Sequence, residues 1–421
     1  MKFAKLSIAA LAVVGFSSSA VALDMSGVTA KPYVKTKLYY ETKSIDAPAG
    51  GTDTDFFAKD SSSGQALVTA GITGSLDSCW GYGFEYNIAD TLGLENNLVS
   101  AVRMGADENG DALQTQDWAS QAYVTYSACG TIMSNTTFKI GRQFLDTPLA
   151  FTEKWNLTKN SFDAIVAINQ DIKNVTLVGA YIGRGNGAKL AVSNGDKFAA
   201  YGTTVPGLTT AKGAYAVGAL TNLIDGLPIN LWYYELPSTA TALWADAGYT
   251  LKVADDMSFG LGAQYGSIAP AASALDDTSG FGVKIGGKIG MFDVMAAYSS
   301  MDDKGTITLG NTATMSNSAS GWKTKLYTQA IYSNAPYVAA PGSDAYKVKA
   351  SAKVPGIGKF IAQYMVNENS VTPALDVSEL NIILATKLAG IGTKVIYTNK
   401  DHDLATEADA QIIRVILSKD F

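Results

Sequence analysis

The sequence has few of the residues on which most enzymes and nucleic-acid-binding proteins depend. Its 421 residues include one histidine, His402, and two cysteines, and charged residues make up only 17% of the chain. The net charge is −6, whereas a nucleic-acid-binding surface needs an excess of positive charge. No Ser or Cys near His402 in the sequence suggests a nucleophile, and no group of His and Cys has metal-ligand spacing. We therefore expect neither an enzyme nor a nucleic-acid-binding protein, and neither a cofactor nor a metal site.

Long hydrophobic runs are also absent. No segment supplies the ~18 uninterrupted apolar residues that a membrane helix requires. The chain is nevertheless 47% hydrophobic and 10% aromatic, which is too apolar for a disordered protein. The composition therefore indicates a protein that contacts lipid without using helices to cross it.

The first residues have the order of a secretory signal. Two lysines precede an apolar run, Leu6–Phe16, and the small residues Ala20-Val21-Ala22 follow it. This order predicts a signal peptide over residues 1–22 and a mature chain of residues 23–421 that forms one domain. A buried N-terminal helix is the alternative interpretation.

Side chains alternate in character along most of the mature chain. Every second position carries an apolar residue in the run Trp80, Tyr82, Phe84, Tyr86 and Ile88, with glycine or polar residues between them. Successive side chains of a strand point to opposite faces, whereas a helix would need a period of 3.6. The pattern therefore predicts strands with one apolar face.

The connections between these strands alternate between short turns and longer polar segments. Outer-membrane barrels have short periplasmic turns, long extracellular loops and strands of about 10 residues. We count eighteen candidate strands, nine in each direction, from residues 28–42 to residues 410–421. The sequence therefore predicts an all-β fold, a transmembrane antiparallel up-and-down β-barrel. A large β-sandwich or a stack of repeats in the periplasm is the alternative.

The two cysteines lie at one rim of this predicted barrel. Cys79 begins the third candidate strand and Cys129 ends the fourth, so both lie at the short-turn end of neighbouring strands. A secreted chain with an even number of cysteines can form disulfides. We therefore predict a Cys79–Cys129 disulfide.

Several segments resemble a known family. They are Gly141-Arg142-Gln143, Thr147-Pro148-Leu149, Phe162-Asp163-Ala164, Val175–Tyr181, Leu231–Glu235 and Ala245-Asp246-Ala247. Together they resemble the major outer-membrane porins of Campylobacter-type bacteria and the related OprD-like porins. The resemblance implies an eighteen-stranded porin whose third loop folds inward and narrows the channel. In this sequence that constriction loop carries Asp146, Glu153, Lys154 and Lys159; an ordinary surface loop is the alternative.

The parity of the strands predicts which residues line the pore. If apolar residues face lipid, the opposite face is basic, because many lysines and few acids fall on it. A charge on the lipid face near the middle of the membrane would cost ~2 to 4 kcal/mol. A basic wall would attract carboxylate or phosphate solutes. Lysines near strand ends could instead lie at the rim or snorkel to headgroups. The predicted pore-lining residues are Lys35, Lys37, Glu85, Lys139, Lys284, Lys288, Lys347 and Lys349.

These observations predict an outer-membrane porin for passive diffusion of small hydrophilic solutes and ions, with a preference for anions. The alternative is a closed structural or adhesive barrel whose extracellular loops bind a partner. Expected partners are outer-membrane lipid and lipopolysaccharide, a possible homotrimer, and the barrel-assembly machinery. The last is expected because Phe421 and the alternating apolar residues before it resemble the C-terminal assembly signal, although Lys419 departs from the pattern.

Overall fold

The computed structural model describes residues 27–102, 115–129, 133–154, 157–187, 195–201, 213–313 and 322–421. The predicted signal peptide, residues 1–22, lies outside these residues. The described chain forms a closed antiparallel β-barrel with eighteen strands in its wall, which confirms the predicted fold class. Each wall strand pairs with the strands next to it in sequence, and β1 pairs with β19 to close the cylinder.

The wall strands begin and end within a few residues of the predicted positions. A further strand, β8 (Ala199–Ala200), pairs only with the end of β7 and is not part of the wall. The wall strands are β1 Lys31–Asp46, β2 Ser62–Ser75, β3 Trp80–Asp90, β4 Gln116–Ser127, β5 Thr136–Gln143, β6 Phe162–Asn169, β7 Val175–Gly185, β9 Ala214–Ile224, β10 Leu227–Leu236, β11 Ala240–Ala254, β12 Met257–Pro270, β13 Thr278–Ile289, β14 Phe292–Met301, β15 Ser343–Val354, β16 Gly358–Asn369, β17 Val377–Leu388, β18 Ile391–His402 and β19 Asp409–Asp420.

The register of the strands places the apolar residues of neighbouring strands on the same face of the barrel. Leu261 of β12 lies opposite Ile285 of β13, and both side chains are exposed, at 56% and 59%. The next pair in register is Gly262 and Lys284, which belong to the other face. Since paired residues point to the same side of a sheet, an apolar outer surface forms from residues that alternate with glycine and polar residues inside.

Connections at the two ends of the barrel differ in length. At one end, two-residue turns join β9 to β10 and β13 to β14, and their glycines Gly226 and Gly290 have φ of 74° and 57°. These are left-handed conformations that glycine adopts without steric cost. The other end carries the longer loops, although residues 237–239 form a short connection there. No helix in the described ranges is long and apolar enough to cross a membrane.

Apolar side chains also pack inside the barrel, which the alternation of side chains along the strands does not predict. The largest cluster joins wall residues such as Trp232 and Trp244 to Leu149 and Leu309 of two loops between strands. Trp232 and Trp244 lie opposite each other in register and are almost fully buried, whereas their neighbour Leu231 is exposed. The core of the protein therefore lies between the wall and the loops that fold into the lumen.

Cys79 and Cys129 are joined by a disulfide at the short-turn end, with their Cα atoms 5.8 Å apart. This separation lies within the range that a disulfide spans.

We expect non-reducing peptide mapping of the purified protein to recover one cross-linked Cys79–Cys129 peptide pair, which separates after reduction. Because the bond closes a loop of 50 residues, its loss is expected to cost about 4 kcal/mol of unfolding free energy. Recovery of both thiols free would contradict the prediction.

Candidate functional site

The loop between β5 and β6 is called the first inward loop below, and its described residues, 144–154 and 157–161, lie inside the barrel. Its Leu149 and Leu157 are almost fully buried. The backbone N–H of Leu149 donates a hydrogen bond to the Tyr234 hydroxyl of β10, at 3.3 Å. The Asn87 side chain of β3 donates to the Thr158 hydroxyl at 2.9 Å. The loop therefore spans the lumen between distant parts of the wall.

The loop between β14 and β15, residues 302–342, also enters the lumen and is called the second inward loop; residues 314–321 lie outside the described residues. Its residues 331–333, called the tip below, are attached to the wall through Glu379 of β17, which is fully buried. The Glu379 carboxylate accepts hydrogen bonds from the backbone N–H groups of Ile331 and Tyr332, both at 3.0 Å, and of Ser333. A buried carboxylate thus obtains the donors that water would otherwise supply.

A second attachment of this tip lies at the seam between β1 and β19. The Tyr332 hydroxyl donates to Glu41 Oε2 at 2.6 Å. Arg414 Nε donates to the same oxygen at 2.8 Å, and the Arg414 side chain is 2% exposed. Arg414 also donates to the Tyr332 hydroxyl at 2.6 Å. The loop takes part in this triad through the Tyr332 hydroxyl. A hydrogen bond to a charged group contributes about 1.5 to 3 kcal/mol, so this contact adds to the attachment at Glu379.

The two inward loops contact each other. Glu153 of the first loop is buried and accepts hydrogen bonds from the Lys323 backbone at 2.8 Å and from the Asn311 side chain at 3.0 Å. Asp146 Oδ1 and Lys325 Nζ form an ion pair at 2.6 Å, with the Asp146 side chain 65% exposed. The loops line a cavity of 410 Å³, whose charged lining residues are Asp146, Glu153, Lys154, Lys323 and Lys325.

A group of lysines lies beside residues 157–159 of the first inward loop. Lys35 and Lys37 of β1 and Lys159 of the loop line a cavity of 100 Å³ together with Glu85 and Asp420. Burial is the main cause that lowers the pKa of Lys159, and the Glu85 carboxylate opposes the shift. Three cations thus share a small space with two carboxylates, which makes the local charge positive.

Glu85 of this cavity is already engaged by the wall. Its carboxylate accepts hydrogen bonds from the Tyr33 hydroxyl at 2.8 Å and from the Ser120 hydroxyl at 2.7 Å. The side chain is 5% exposed. Glu85 therefore has a structural role, and the lysines are the groups of this cavity best suited to meet an anionic solute.

The remaining predicted pore-lining lysines have different surroundings. Lys284 lies over the Tyr327 ring of the second inward loop at 4.0 Å, and Lys347 donates to the Gln329 carbonyl at 2.6 Å. Lys139 lies over the Tyr123 ring at 3.8 Å. Burial, followed by the nearby Asp246, raises the pKa of Tyr327 to about 12.

Lys288 and Lys349 share the parity of Lys284 and Lys347 but lie nearer the short-turn end. Lys288 is exposed and lies opposite Asp293 in register. The structure thus brings together two sets of predicted residues, each around one cavity: Lys35, Lys37, Glu85 and Lys159, and separately Asp146, Glu153 and Lys154.

The groups that attach the second inward loop were not among the predicted site residues. Arg414 stands in the apolar run Ile412-Ile413-Arg414-Val415-Ile416 of β19. An ionisable residue within a membrane strand is costly unless it faces the interior and has a partner. That single cation was therefore a usable signal for a buried contact, although nothing in the sequence identifies Glu41 and Tyr332 as its partners.

No protein-family model matches the sequence, and no curated protein matches it. Solved structures match the fold over almost all of the chain. Pseudomonas aeruginosa OccK9 (OpdG) superimposes with a TM-score of 0.74 at 14% identity, and the match covers 93% of this chain and 98% of that chain. Pseudomonas aeruginosa OpdK with vanillate gives 0.73 at 12% identity over the same shares of the two chains. Pseudomonas aeruginosa OccD3 (OpdP) superimposes with a TM-score of 0.64 at 12% identity, and the match covers 96% of this chain and 93% of that chain.

These structural neighbours are porins of the OprD family. At such low sequence identity the similarity establishes the architecture of the chain. The chain is therefore similar to these Pseudomonas porins in fold: an eighteen-stranded closed barrel.

Proposed function

We propose that this chain is an outer-membrane porin through which small hydrophilic solutes and ions diffuse passively, with a preference for anions such as carboxylates. The observation that carries the proposal is the cluster of Lys35, Lys37 and Lys159 beside the first inward loop of a closed barrel. Barrels of 16 to 18 strands characteristically leave an aqueous channel. Inward loops restrict the size of the solute, and a positive wall raises the local concentration of anions.

The structural neighbours support this proposal. Solved structures of the same architecture are outer-membrane porins, and one of them was determined with vanillate, an aromatic carboxylate. We also propose that the chain resembles the Campylobacter-type porins, that residues 1–22 are removed on export, and that the protein has no enzymatic activity. The proposal further includes a homotrimer, binding of lipopolysaccharide, and recognition of Phe421 by the barrel-assembly machinery.

Recording from the purified protein in planar bilayers tests the function. We expect discrete conductance steps, and under a KCl gradient a reversal potential with the sign of anion preference. The absence of current from correctly folded protein would contradict the channel and favour a closed barrel with an adhesive role. A reversal potential of the opposite sign would contradict the anion preference alone.

A further inference from the structure

Three charged side chains form a row across neighbouring strands at the long-loop end of the barrel. Arg142 of β5 lies opposite Asp163 of β6, and Asp163 lies opposite Arg184 of β7. Arg142 Nε donates to Asp163 Oδ1 at 2.9 Å, and Arg184 contacts Asp163 Oδ2 at 2.8 Å. Two cations thus share one carboxylate, so the row carries a net charge of +1.

This row lies on the outer face of the barrel. Arg142 is two residues from Ile140 and Asp163 is two residues from Ile165, and both isoleucines have exposed side chains. On a strand, residues two apart share a face. A shift of register next to Asp163 places Arg184 opposite it, so Arg184 belongs to the same face.

An apolar and aromatic surface lies directly below the row. Tyr181 of β7 and Tyr215 of β9 are exposed, and their ring centroids are 5.3 Å apart. In membrane barrels, aromatic residues of the outer face mark the boundary between hydrocarbon and headgroups. The arginines therefore lie at headgroup depth, in the leaflet next to the long loops.

The arginines are held in place before any ligand binds. Arg142 donates to the Ala119 carbonyl at 2.9 Å, and its guanidinium stacks on the Phe198 ring at 3.6 Å. The Arg142 side chain is 22% exposed and the Arg184 side chain is 59% exposed. Arg184 can therefore offer N–H groups to a ligand, while the rest of the row supplies fixed positive charge beside it.

Elsewhere, the outer face at this end carries carboxylates. Glu235, Asp344 and Asp117 each accept a hydrogen bond from a tyrosine hydroxyl. Such carboxylates repel a phosphate, whereas an arginine guanidinium matches its geometry and charge. The row is thus a place on the outer face where an anionic headgroup finds complementary charge above an apolar wall.

We propose that Arg142 and Arg184 bind a phosphate group of a glycolipid in the outer leaflet, with its acyl chains against Ile165, Tyr181 and Tyr215. The inference rests on the proposed outer-membrane location but does not depend on conduction. A lipid, rather than free phosphate, is the expected source, because the cationic and apolar surfaces are continuous.

Binding of lipid A to the purified full-length barrel in detergent tests the proposal. We expect tighter binding of diphosphoryl lipid A than of the same lipid without phosphates. Arg184→Gln is expected to weaken diphosphoryl lipid A binding by about tenfold, because it removes a charge-assisted contact. Arg184→Lys keeps the charge but lacks the planar fork, and an intermediate loss is expected. The matched control is Lys59→Gln, an exposed lysine of the loop between β1 and β2, which is expected to bind like the unmodified protein.

Several results would overturn the proposal. One is equal binding of diphosphoryl lipid A by Arg184→Gln and by the unmodified chain, with barrel folding verified by electrophoretic mobility. Another is equal binding of the two lipids by the unmodified chain. Displacement of lipid A by millimolar inorganic phosphate would show a free-anion site instead. Conductance is measured separately, so loss of the lipid site and failure of the channel are distinguishable.

Discussion

Replacement of Glu379 by alanine is expected to loosen the tip of the second inward loop and raise the single-channel conductance. The substitution removes the acceptor for the backbone N–H groups of Ile331, Tyr332 and Ser333. An unsatisfied buried donor costs about 1 to 3 kcal/mol. Even one such loss lowers the ratio of attached to detached loop by about fivefold or more. The measurement is planar-bilayer recording of step size and open-channel noise, both of which should increase.

The matched control for this experiment is Glu368→Ala. Glu368 is an exposed carboxylate of the neighbouring strand β16, so its removal changes the charge equally and leaves the loop attached. Glu379→Gln keeps one acceptor oxygen and should give a smaller increase. A conductance of Glu379→Ala equal to that of the control would refute the role assigned to this attachment.

Conversion of Lys35, Lys37 and Lys159 to glutamine is expected to reduce the anion preference. The interaction energy between a unit charge and a monovalent ion 8 Å away is about 0.5 kcal/mol in water. The effects of three charges add, and salt screens part of the sum. The ratio of anion to cation permeability should therefore fall by about fivefold at low salt and by less at high salt. Reversal potentials in KCl gradients at two mean concentrations provide the measurement.

The control is a triple variant of equal charge, Lys59→Gln, Lys173→Gln and Lys304→Gln. All three lysines are exposed: Lys59 and Lys173 lie in the β1–β2 and β6–β7 connections, and Lys304 lies three residues after β14, at the start of the second inward loop. The control should change the permeability ratio far less, because its charges lie in solvent, away from the narrow part of the lumen. Equal effects of the two triple variants would mean that overall charge, rather than the lysine cluster, sets the preference.

The wall could be predicted from the sequence because its signal is local. The alternation from Trp80 to Ile88 predicts a strand by itself, and β3 covers those residues. The turn glycines then predict where strands end. Each of these inferences needs only residues that are close in sequence, and the closed barrel follows from repeating them.

The interior could not be predicted in the same way, because its contacts join distant residues. β10 is apolar on both faces around Trp232, so alternation does not show that this tryptophan packs inside. Glu41 and Arg414 are 373 positions apart and meet only when the barrel closes. The inward path of the second loop depends on such contacts, so its length alone could not reveal it.

The position of the Glu41–Arg414 pair has a consequence for biogenesis. The two residues lie opposite each other on β1 and β19, the first and last strands of the wall. Tyr332 joins them, so the contact needs both ends of the polypeptide and a loop from its middle. A chain whose terminal strands have not yet met lacks this tether, and the narrow passage would be completed only at the final step of assembly.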